Sequence, residues 1–93
     1  MADVIVLKMS NGDEIIATSS NLKSDNYIVD KPRVLQMMQG QHGVQAGLVP
    51  YIMSDPDKTD IVIKSNHVVC SFLASNDLAK SYLQSVSSIQ LLG

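Results

Sequence analysis

The sequence predicts a mostly β fold, a small and strongly bent five-stranded barrel carrying a C-terminal α-helix. Three features point there. Asn11-Gly12 joins two β-prone runs and is the strongest short-range hairpin signal, because both residues tolerate positive φ. Two β-branched runs, Ile61-Val62-Ile63-Lys64 and Val68-Val69-Cys70-Ser71-Phe72, flank Ser65-Asn66-His67, a polar triplet with room only for a tight turn or a sharp corner. In the tail, Leu78, Tyr82, Val86 and Ile89 recur at helical spacing. Several short bent strands in 93 residues fit one small barrel better than any layered fold.

The first strand, over 4–9, is apolar at each position from Val4 to Leu7, so it requires cover on both faces. A type I′ turn at Asn11-Gly12 leads into the second strand over 14–19. Asn21 to Asn26 reads as a polar turn. The third strand spans 27–38 and is interrupted at Lys31-Pro32-Arg33, since Pro32 has no N–H for a ladder and belongs at an edge, a bulge or a bend. Gln39 to Gly43 is a loop in which His42 has no evident task. The fourth strand covers 44–53, with Gly47 and Pro50 as expected distortions. Ser54 to Asp60 forms an exposed loop, and the fifth strand runs over 61–72 through the corner. The helix spans 76–88, with Ser75 or Asn76 as its N-cap and Asp77 suited to its positive end. Ala79 and Leu83 widen its apolar stripe, which covers the first strand or faces a partner.

Composition narrows the function classes. Hydrophobic residues make up 45% and charged residues 17% of the chain, which describes a globular domain. A domain this short removes only about 60–65% of its extended-chain surface from water, so a partner subunit is a natural source of further burial. The formal charge of -2 excludes a coat of positive potential, and any anion site is local. Cys70 is the single cysteine; inside Val-Val-Cys-Ser-Phe it is expected to be a small buried hydrophobe in a reducing compartment. No basic segment precedes a long apolar run, so neither a signal peptide nor a membrane span is expected, and the expected location is cytoplasmic.

The residues of both signature regions resemble motifs of the Sm-like (LSm) family. Ile5-Val6-Leu7-Lys8-Met9-Ser10-Asn11-Gly12-Asp13-Glu14-Ile15-Ile16 is similar to the family's first motif. Ile61-Val62-Ile63-Lys64-Ser65-Asn66-His67-Val68-Val69 is similar to its second, with Lys64 where the family has Arg and Ser65 where it has Gly. Ala17 stands where the family repeats a Gly, the helix follows the barrel rather than preceding it, and Gln39 to Asp60 is longer than the family pattern. The chain thus resembles a divergent relative, such as a phage-encoded one. The resemblance implies an SH3-like, Sm-like barrel and a homo-oligomeric ring built by pairing edge strands. It also implies single-stranded RNA binding near the pore, through Asn26, Tyr27, Lys64, Asn66 and His67. Edge pairing has an independent basis, because an open barrel has two unpaired edges that must be covered or blunted.

Three of these residues also have a plain structural role. Tyr27 at a strand start suits half-buried packing, Asn66 suits stabilisation of its own turn, and Lys64 suits a solvated edge charge. A structural or protein-interaction ring without nucleic acid is the rival reading. Catalysis is not expected: His67 and Cys70 are three apart and fall on opposite faces of an extended strand. The His, Cys and carboxylate spacing matches no zinc or calcium pattern, and no Gly-rich phosphate loop follows a strand, so neither metal nor cofactor is expected.

Overall fold

The computed structural model describes residues 3–22, 26–41 and 43–92, with side chains described throughout these except at 20–22, 38 and 87–92. Lys23, Ser24 and Asp25 of the polar turn and His42 lie outside the described residues, as does the side chain of Ile89. Six strands and one helix follow in order: β1 (Asp3–Met9), β2 (Glu14–Leu22), β3 (Asn26–Gly40), β4 (Gly43–Pro50), β5 (Ile61–Lys64), β6 (Val68–Leu73) and α1 (Asn76–Leu92). The strands make one antiparallel sheet in the order β4-β3-β2-β1-β6, with β5 also on β3. No described pairing joins β6 to β4 or β5, so the sheet is not closed. No helix among the described residues is long and apolar enough to cross a membrane.

There are six strands rather than five because Ser65–His67 forms a 3₁₀ turn and the two halves of the expected last strand choose different partners. β5 pairs with β3, whereas β6 pairs with β1. The interruption at Pro32 has a matching cause. Lys31 takes φ +50°, and the same edge of β3 holds β5 along Asn26–Val29 before it and β4 along Arg33–Gly40 after it. Pro32 needs no amide partner at that switch, and its carbonyl accepts from the Tyr51 amide at 3.1 Å.

Three local expectations are corrected. The β1–β2 hairpin forms, but Gly12 alone carries positive φ (+99°), with the Gly12 amide donating to Met9 O at 2.9 Å and the Met9 amide to Asp13 O at 2.7 Å. That is a type I turn followed by a left-handed glycine, not a type I′ turn. Asn11 instead accepts from the Asp13 amide at 3.0 Å through its side chain, which fixes the loop without a strained backbone. β4 pairs with β3 in unbroken register through Gly47 and ends at Pro50, so 51–53 is not strand. Gly40 pairs with Gly43, which reduces the expected loop to two residues, and Gly43 supplies the positive φ of +103°.

The apolar sequence of β1 is satisfied on both faces. Ile5, Leu7 and Met9 join Ile15, Ala17 and Val29 in one core. Val6 and Ile16 face the other way and meet Tyr82, Leu78 and Val86 of α1. Burying a side chain of this size stabilises by about 1.5–3 kcal/mol, so α1 is integral to the domain. Ser75 caps the helix by accepting from the Leu78 amide at 3.3 Å. Tyr82 is fully buried and donates to the carbonyls of Asp30 and Lys31, 3.0 Å from each.

Candidate functional site at the corner and the free edges

Lys64 pairs directly with Asn26 across β5 and β3, which puts both side chains on one face. Along β5 exposure alternates: Ile63 is buried, whereas Val62 and Lys64 are exposed. The 3₁₀ turn then presents Ser65, Asn66 and His67 with none of them buried. Its far side is tied down where the Ser10 amide donates to His67 O at 2.8 Å, joining the corner to the β1–β2 turn. Asn26, Lys64, Asn66 and His67 therefore gather at one end of the sheet.

Tyr27 does not join them. It pairs with Ile63 and so turns to the core side, where it packs partly buried against the Ile5–Leu7 core. Its phenol oxygen lies 3.0 Å from Ser71 Oγ on β6. A ring committed on one side to packing and at its tip to a hydrogen bond is a poor stacking platform.

A groove of about 500 Å³ opens beside the corner, with Lys64, His67, Ser10 and Asn11 at its polar positions and Ile61, Ile63, Met9 and Tyr51 among its apolar ones. Among the described residues no carboxylate lines it, and Lys64 is the charged side chain at its rim. Among the described residues, no group of three His, Cys, Asp or Glu could hold a metal ion.

The free edges are the other distinctive feature. Among the described residues β6 pairs only with β1, and from Val69 to Leu73 every residue is exposed. Val69 is 67%, Phe72 53% and Leu73 64% exposed. Cys70 is exposed as well, which corrects the expectation that it is buried: a strand at the end of an open sheet has no second layer to cover it. Among the described residues β5 likewise pairs only with β3.

Arg33 was not singled out by its sequence context, yet it organises the segment between β4 and β5. Only 4% exposed, it donates from Nη1 to Pro56 O at 2.6 Å and from Nη2 to Asp57 Oδ1 at 3.1 Å. The Lys31 amide donates to Lys58 O, and the Asp60 amide to Asp30 Oδ1, both at 2.8 Å. The available signal was the single Arg of the chain, set inside a β run directly after Pro32.

No protein-family model and no curated protein matches this chain.

Proposed function

We propose that this chain is a non-enzymatic self-assembly module, a small open barrel of the Sm-like kind that adds copies edge to edge into a ring. One observation carries the reading: β6 has a free edge, exposed Val69, Phe72 and Leu73, and no Asp, Glu, Lys or Arg anywhere between Lys64 and Asp77. Soluble monomers blunt such edges with charge, Pro or cover. The complementary edge is β5, whose only charged residue is Lys64. Two different free edges on one chain make a head-to-tail contact, which closes into a ring when the rotation per copy divides the circle.

A second reading adds single-stranded RNA to the ring. Its support is the shared face of Asn26 and Lys64, beside exposed Asn66 and His67, a set that repetition around a ring would strengthen by avidity. One Lys per copy gives no planar fork, so assembly is the primary function and RNA the secondary one.

Light scattering at micromolar concentration tests assembly. The wild type is expected as a discrete oligomer and Val69→Lys and Phe72→Lys as folded monomers. A wild type that stays monomeric ends the proposal. Failure of the oligomer to shift U-rich or A-rich oligonucleotides at low salt ends the RNA reading alone.

A further inference from the structure

Between Arg33 and Asp55 the chain carries no Asp, Glu, Lys or Arg. That interval holds the distal half of β3 and all of β4. The β2 pairing on this part of β3 ends at Ile15↔Val34, whereas β4 continues with β3 out to Gly40↔Gly43. Beyond Val34 the two strands therefore project as a two-stranded ribbon.

Its faces differ. Leu35 and Leu48 are partners and pack on the core beneath α1. Two residues further out on the same face lie Met37 and Ala46, then Gln39 and Val44. These are exposed, Met37 by 68% and Val44 by 59%. An apolar stripe thus starts under the helix and runs into solvent. A two-stranded ribbon is marginally stable alone in water, and an uncharged one has nothing to repel a pairing partner.

We infer that this ribbon is an arm that packs on a second copy of the chain, with Met37 and Val44 as its anchors. The inference rests on the edge-to-edge reading and names an additional interface. Two observations select a second copy as occupant. β4 and β5 lie on the same edge of β3, so the arm prolongs the edge at which a neighbour docks. The neighbour's β6 is equally free of charge and exposes Val69 and Leu73, so docking there desolvates no ion.

Sedimentation velocity of the full chain compares wild type, Val69→Lys, and the double variant Met37→Lys/Val44→Lys. The arm variant is expected to raise the concentration for half-assembly by roughly tenfold or more. Amide hydrogen exchange on the wild type gives a readout independent of any variant: amides of 36–46 slow in the assembled state relative to the diluted monomer. An unchanged half-assembly concentration, or arm amides that exchange equally in monomer and assembly, overturns the arm and leaves edge pairing intact. A wild type that is monomeric throughout overturns both. Assembly lost in the arm variant but kept in Val69→Lys removes β6 and retains the arm as the interface between copies.

Discussion

The phenol oxygen of Tyr27 and the hydroxyl of Ser71 meet at 3.0 Å, linking β3 to β6 across 44 residues of sequence. β3 carries β5 at its free side and β6 ends the sheet beyond β1, so this bond spans the gap that no backbone ladder closes. It gives Tyr27 a structural task, a side-chain tie between two parts of the sheet.

Tyr27→Phe is expected to cost about 0.5–1 kcal/mol, the net worth of one hydrogen bond. Tyr27→Ala should cost about 1–3 kcal/mol, because half-buried packing is lost too. Urea titration measures both. An Ala variant of unchanged stability that loses oligonucleotide binding would return Tyr27 to a stacking role.

Arg33→Met keeps the stem volume but leaves Pro56 O and Asp57 without their donor. About 2–4 kcal/mol is expected to be lost, mostly from the orphaned carbonyl and the unpinned loop, since half-exposed Asp57 makes the ion pair itself weak. Arg33→Lys should recover only part, because an ammonium cannot reach both acceptors in fork geometry. Hydrogen exchange at the Lys31 amide, which donates to Lys58 O, should accelerate in Arg33→Met; an unchanged rate would show the loop is held without Arg33.

Burial pushes the Tyr82 phenol above its ordinary value of 10.0. A folded pKa above the unfolded one means the native state holds its proton longer. The associated stability is complete below pH 10 and is lost as pH rises through the folded pKa. Tyr82→Phe is expected to cost about 1–2 kcal/mol at neutral pH and to flatten this alkaline decline. Urea midpoints measured from neutral to alkaline pH would show it; parallel pH profiles for the two proteins would be the contrary result.

If RNA binds at the corner, Lys64→Ala weakens it and lowers the slope of log affinity against log salt by about 0.7 for each phosphate that Lys64 had neutralised. Filter binding over a salt series gives that slope. Weaker binding at unchanged slope would assign Lys64 a packing role instead.

Local signals carried much of the architecture. The Asn-Gly hairpin, the bend at Pro32, the corner at Ser65–His67 and the capped amphipathic tail were all legible, because each depends on a few neighbouring residues with restricted φ/ψ or a fixed side-chain period. The doubly apolar β1 even announced a covering layer. Less legible was the partner of each strand. Nothing in Ile61 to Phe72 says that its halves pair with β3 and β1, or that Cys70 is thereby left at an open edge. Of the candidate site, Asn26 and Lys64 share a face and Asn66 and His67 follow at the corner, since a corner joined to an antiparallel partner places them together; Tyr27 lies on the other face, because strand parity turns it toward the core.

The sequence by itself determined where the chain turns, which segments extend and which face of the tail is apolar, since these follow from steric limits and periodicity within a few residues. Only the tertiary structure decided that Arg33 is buried as a clasp, that Tyr82 anchors the bend of β3, and that β6 and the β3–β4 ribbon are left uncovered. Those outcomes depend on which distant elements take up each other's hydrogen bonds and apolar surface, a competition settled over the whole fold.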